Sequence, residues 1–146
     1  KINNIEVTNS TFYNIGIGLI VHTNADAASL LVDNCTFYDI TRGDNNSRYL
    51  ISYGTKKLAT ATITNSIFSM TKNSNAGGIL IADSYTSTNN YQTADYIVAR
   101  DGIKGAANYA QASTELFENP SAADFTIKDG AFAGKLSAGD PRWRIE

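Results

Sequence analysis

Two groups of residues have the types and spacing to do chemistry. Asp39, Arg42 and Asp44 set a guanidinium between two carboxylates, the materials of an acid-base or cation-binding loop. Tyr13 and Tyr38 offer ring faces on which sugars stack, and Asn14 and Asp39, which follow them, could hydrogen-bond hydroxyls, with Tyr49 and Tyr53 further along. Metal and nucleophile chemistry have less to draw on. His22 is the only histidine and Cys35 the only cysteine, and neither has partners at ligand or nucleophile-base spacing. No metal site is expected, and His22 reads as a polar residue at a strand end. Arg42-Gly43-Asp44 spells the tripeptide read by integrins, a match short enough to arise by chance. Asn9-Ser10-Thr11, Asn34-Cys35-Thr36 and Asn45-Asn46-Ser47 fit the glycosylation acceptor pattern.

These residues ride on a repeat. Ile5 to Phe12, Leu30 to Phe37 and Ala61 to Phe68 each read aliphatic-x-Asn-Ser/Cys-x-Phe, with Asn9, Asn34 and Asn65 spaced 25 and then 31 residues apart. Val7 and Phe12, Val32 and Phe37, and Ile63 and Phe68 are separated by an odd number of residues, so a flat strand would point the two apolar side chains to opposite faces. Both members are apolar every time, so the chain must bend between them. Asn tolerates left-handed geometry best among non-glycine residues, which makes Asn9, Asn34 and Asn65 a structural corner ladder and explains two of the acceptor patterns without glycosylation. A second apolar run follows each copy: Gly18 to Val21, Tyr49 to Ser52 and Gly78 to Ile81. Cys35 shares its position with Ser10 and Ser66 and reads as a small buried filler.

The expected fold class is all-β: a right-handed single-stranded parallel β-helix, a solenoid of about three regular coils plus an irregular coil and a C-terminal cap. Residues 1–99 form the coils, and residues 100–146 the irregular last coil and the cap of the same domain, where Pro141 stops a ladder and Trp143 covers the last rung. Lys1 to Asn4 run straight into a full repeat, so an upstream domain or further coils of the same protein are expected to precede them.

Composition narrows the partners. The formal net charge is -2 and no block of Lys or Arg occurs, so nucleic acid is not expected. The longest apolar run, Ile15 to Val21, is far short of the roughly 20 residues that span a bilayer, so no membrane insertion by this segment is expected. Charged residues make up 18% against 42% hydrophobic, leaving Asn, Thr and Ser to supply the polar surface, as suits turn-rich β-structure.

With the asparagine corners, the segments Val-Asp-Asn-Cys-Thr-Phe (32–37), Ile-Thr-Asn-Ser-Ile-Phe (63–68), Asn-Pro-Ser-Ala-Ala-Asp-Phe-Thr-Ile (119–127) and Gly-Asp-Pro-Arg-Trp-Arg (139–144) carry a resemblance. The chain resembles the pectate-lyase-like superfamily of parallel β-helices, and more narrowly a C-terminal β-helix family of uncharacterised function from exported proteins of glycan-foraging bacteria. The resemblance implies an extracellular or cell-surface location and polysaccharide as the partner. Lyases and hydrolases of that superfamily stack acids on adjacent coils, the lyases around calcium beside an arginine. The positions equivalent to Asp39 and Asp44 are Asn14 in the first repeat and Met70 or Lys72 in the third, so no acid column forms, no cofactor is expected and calcium has no support from the sequence. The leading expectation is a noncatalytic module of an exported or surface-attached bacterial protein that engages polysaccharide through Tyr13, Asn14, Tyr38, Asp39, Arg42, Asp44, Tyr49 and Tyr53. A polysaccharide lyase or glycoside hydrolase with its active site mainly upstream, and a structural spacer or adhesin, remain open alternatives.

Overall fold

A computed structural model describes residues 2–41 and 47–145. Arg42 and Asp44, and with them the Arg42-Gly43-Asp44 tripeptide, lie outside the described residues. The repeats form strands because their β-branched and aromatic residues suit a pleated surface. β1 (Asn4–Tyr13), β2 (Ile20–Val21), β3 (Ala27–Tyr38), β4 (Tyr49–Gly54), β5 (Leu58–Thr64), β6 (Ile67–Phe68) and β7 (Gly77–Ile81) cover the three copies and the runs that follow them. β8 (Thr86–Thr88), β9 (Tyr91–Gln92) and β10 (Ala107–Asn108) come next, then the one-turn helix α1 (Ser113–Leu116) and the strands β11 (Phe117–Asn119) and β12 (Asp124–Ile127).

The copies lie side by side in parallel. Val7 pairs with Val32 and Val32 with Ile63, while Phe12 pairs with Phe37 and Phe37 with Phe68. The three Phe rings stack with centroids 5.6 and 4.8 Å apart. The first sheet has seven strands, β10-β9-β6-β3-β5-β8 with β1 on β3; β2, β4 and β7 make a separate parallel sheet.

The expected right-handed β-helix solenoid, with its regular and irregular coils, is not what forms. The parallel strands curl into a half-barrel, the sheets are separate, and β11 and β12 pair antiparallel. The last third of the chain supplies the physical reason. Strands β9 and β10 shrink to two residues, and the tail then folds back over the outer face of the large sheet. There Phe117, Phe125, Ile127 and Phe132 bury against Tyr38 and Ile67, making a second hydrophobic cluster outside the first. Burying that much apolar surface stabilises the return path more than a further two-residue rung would. Among the described residues no helix is long and apolar enough to cross a membrane.

The inner cluster holds Val32, Phe37, Ile63 and Phe68, all fully buried. Residues five apart reach it together because Asn9, Asn34 and Asn65 adopt left-handed backbone, with φ of 48°, 55° and 49°. Asn89 continues the column at φ 51°. A second left-handed column lies two residues beyond the stacked Phe rings, at Asn14, Asp39 and Met70. Asp33 ties the first column together: its carboxylate accepts from the amides of Asn34 (2.9 Å) and Asn65 (2.8 Å) and from the Thr64 hydroxyl (2.9 Å). Asn89 in turn donates to Asn65 Oδ1 at 2.7 Å.

The tail docks onto the same column. Arg144 donates to Asn34 Oδ1 at 2.5 Å, the Gly139 amide to the Asn65 carbonyl at 2.8 Å, and Asn89 to the Ser137 hydroxyl at 3.2 Å. Gly139 has φ 76°, and a Cβ there would sit 2.8 Å from both Ile67 Cδ1 and Thr36 Oγ1, so only glycine fits. Asp140 is almost wholly buried. Its carboxylate accepts from Thr11 Oγ1 at 2.7 Å and from the Arg142 amide and guanidinium, and its amide donates to Thr36 Oγ1. Trp143 Nε1 completes the clamp by donating to Thr11 Oγ1 at 2.7 Å. Burial pushes the Asp140 carboxyl up, but the bonds from Arg142 and Thr11 and the Arg142 charge outweigh it, leaving it below its ordinary value.

Two outcomes follow for stability. Asn65→Ala removes two amide bonds and leaves in the left-handed backbone a residue that tolerates it worse than asparagine does, and urea unfolding should show a loss of about 2 kcal/mol, against about 1 kcal/mol for Asn65→Gly, which loses the same bonds and keeps the backbone relaxed. Equal losses would mean that the left-handed turn contributes nothing. A depressed folded-state carboxyl gives stability that is present above the unfolded value, about pH 3.9, and disappears as pH falls through the folded one. The stability gap between the wild type and Asp140→Asn should therefore be open at pH 6 and narrow between about pH 4 and pH 2; a gap independent of pH would show that the charge does not hold the clamp.

Candidate functional site

Tyr13 and Tyr38 occupy paired positions on β1 and β3, but the folded tail meets them differently. Phe125 packs against both, with centroids 5.7 and 5.5 Å away, and Trp143 packs edge-on behind Phe125. Tyr38 is left 7% exposed and Tyr13 46%, so this face offers a sugar one ring. Burial, and then the charges of Asp39 and Asp95, push the Tyr38 phenol up. Asn14 and Asp39 hold left-handed turns, and Asp39 is buried.

Tyr49 and Tyr53 also take structural posts. The Tyr49 hydroxyl accepts from Arg100 Nε at 2.8 Å and donates to Asp101 Oδ2 at 3.0 Å, while the Arg100 guanidinium lies 5.0 Å from the ring centroid. A Cβ on Gly77 would sit 2.1 Å from that ring, so the close approach of β7 to Tyr49 requires glycine. Tyr53 is fully buried, its ring 5.4 Å from that of His22. The structure brings Tyr13 and Tyr38 together; it does not bring Tyr49 or Tyr53 to them. Arg42 and Asp44 are outside the described residues, among which no group of three or more His, Cys, Asp or Glu is placed to hold a metal ion.

An aromatic and amide cleft lies elsewhere, at the far end of the large sheet. Tyr91, Asn108, Tyr109, Gln111 and Phe132 line it with three alanines, around a volume of about 260 Å³. Parallel pairing of β9 with β10 sets Tyr91 opposite Ala107 and Gln92 opposite Asn108, whose side chains bond at 2.7 Å. Phe132 wedges edge-on against Tyr91 at 4.8 Å and against Tyr109 at 5.6 Å, fixing both rings. Gly134 makes the wedge possible, since a Cβ there would lie 2.7 Å from Phe132 Cζ and from Tyr91 Cε2.

Tyr109 donates its hydroxyl to Asp129 Oδ2 at 2.8 Å. Burial, this bond and the Asp129 charge push its phenol up to about 12, so it stays a neutral donor throughout the physiological range. Alanines 110, 131 and 133 keep the rim low, leaving ring edges and faces open beside the amides of Asn108 and Gln111. A few polar groups set among aromatic rings suit a ligand with one apolar and one hydroxylated side, and the volume is just under the roughly 300 Å³ at which small-molecule pockets begin. Sequence reasoning passed over these residues because they come from three separated segments. The available signal was small residues bracketing each ring, Ala107-Asn108-Tyr109-Ala110 and Ala131-Phe132-Ala133-Gly134.

The carboxylates of the described chain are largely spent on structure. Besides Asp33 and Asp140, Asp95 accepts from Thr93 and from the amide and hydroxyl of Ser113, and Asp129 accepts from Tyr109 and the Ala131 amide.

No curated protein and no solved structure matches the chain. A family model described as a domain of unknown function, DUF5123, matches residues 30–143, a span that takes in the second and third repeats, the tyrosine cleft, and Asp140 and Trp143. The chain therefore belongs to the DUF5123 family.

Proposed function

We propose that this chain is a noncatalytic module of an exported or surface-attached bacterial protein, and that it engages polysaccharide through the cleft of Tyr91, Asn108, Tyr109 and Gln111. The observation that carries the reading is the cleft itself: two tyrosines packed by one phenylalanine, with the amides of Asn108 and Gln111 in the same lining. Rigid rings lose little entropy on binding, and sugars present both an apolar face and a hydroxyl edge to such a surface. Tyr13, with its ring half open, is an accessory contact at a different place on the same sheet. The structural engagement of Asp33, Asp95, Asp129 and Asp140 supports recognition over hydrolysis or elimination, both of which need acids free to face a substrate.

A glycan-array screen with product analysis tests the reading. Binding without cleavage is expected. Tyr109→Ala should weaken it about tenfold, as loss of one stacking ring does, and Tyr13→Ala by a smaller factor. Cleavage products would replace the proposal with the enzyme reading, and silence on every glycan would replace it with the spacer.

A further inference from the structure

We infer that the cleft formed by β2, β4 and the residues flanking them is a second binding site, one that takes the oxyanion of a sulfate or phosphate monoester. The cleft has a volume of about 270 Å³, and Ile17, Val21, Thr23, Arg48, Tyr49 and Ser52 form its walls. It lies on the small sheet, away from the tyrosine cleft, and rests on a separate observation.

That observation is Arg48. Its Nε is buried and has no hydrogen-bond partner. An unpaired buried donor costs about 1–3 kcal/mol, more when charged, a cost that an anion held by the same guanidinium offsets. None of the described residues lining the cleft is a carboxylate. The other arginines of the described chain are engaged: Arg100 with Tyr49, Arg142 with Asp140, and Arg144 with Asn34.

The remaining walls define the ligand. Thr23 and Ser52 bring hydroxyls from β4 and from the residues after β2, and Ser52 is 7% exposed, so its position is fixed by packing. The Tyr49 hydroxyl is occupied by Arg100 and Asp101, so Tyr49 contributes only its ring. A carboxylate can satisfy one guanidinium fork with its two oxygens, whereas donors on several walls call for an acceptor with oxygens pointing several ways, as a tetrahedral monoester has. Ile17 and Val21, 55% and 61% exposed, form an apolar shelf beside the arginine on which the carbon skeleton of the ester rests.

The test is a titration of the whole chain followed by amide and arginine NMR shifts, with inorganic sulfate, inorganic phosphate, glucose 6-sulfate, glucose 6-phosphate and acetate at matched ionic strength. Saturable shifts at Arg48, Thr23 and Ser52 are expected with the tetrahedral anions. The esters should bind more tightly than the free ions, and the tighter of the two esters identifies the source of the oxyanion. Arg48→Gln should weaken binding about tenfold or more, and Arg48→Lys should recover part of it, since an ammonium keeps the charge and loses the fork. Ser52→Ala, which removes one hydroxyl, should cost about threefold and serves if Arg48→Gln does not fold. Tyr109→Ala should leave these shifts unchanged, so failure of the sugar cleft and failure of this site are told apart. Equal saturation by acetate, an undiminished response in Arg48→Gln, or no saturable shift with any anion would overturn the assignment.

Discussion

At Asn34, Asn65 and Asn89 the backbone turns left-handed and the side chains bond sideways to one another's rungs, through Asp33 in two places and from Asn89 to Asn65 directly. That column lets residues five apart face one interior, which is why the Phe rings and the Val and Ile residues of each copy fill the same cluster. An ordinary right-handed strand residue at these positions would turn each Phe out to water. The tail depends on the column as well, since Arg144, Gly139 and Ser137 all attach to it. Turn, core and clamp share one set of side chains.

The clamp decides where ligands can reach. By drawing Phe125 and Trp143 over the outer face of β3, it converts Tyr38 from a surface ring into core and leaves the rim of the sheet, at Tyr91 and Tyr109, as the accessible aromatic surface. Among the described residues the small sheet carries no such cover on β2, whose Val21 is exposed and whose neighbourhood holds Arg48. The two clefts thus occupy places that Phe125 and Trp143 do not cover.

Much of the strand structure was legible in the sequence, because Val7, Val32 and Ile63 and the three Phe residues repeat with one spacing and alternate with polar neighbours. All-β structure and the parallel register of the copies follow from that periodicity alone. The solenoid did not follow, since the repeat says how neighbouring strands pair and nothing about where a chain goes once the repeat has faded beyond β9. The covering of Tyr38 was hidden for the same reason: Phe125 meets it only after a return path set by the hairpin of β11 and β12. Met70 takes a left-handed turn that no residue preference would suggest, at the position that Asn14 and Asp39 hold in the other two copies. The tyrosine cleft depends on Gly134 yielding space to a ring from another strand, a fact of packing with no local signature.

A chain this rich in asparagine would be expected to age chemically, because the nitrogen after each Asn can attack its side-chain amide and deamidate it. At Asn34 and Asn65 those nitrogens are already committed: the amide of Cys35 donates to Ser66 Oγ at 3.1 Å and that of Ser66 to Asn90 Oδ1 at 3.0 Å. The side chains they would attack are pinned in turn, Asn34 by Asp33 and Arg144, and Asn65 by Asp33 and Asn89. The same bonds that shape these turns therefore act as a preservative, and folding protects Asn34 and Asn65 in covalent integrity as well as in shape.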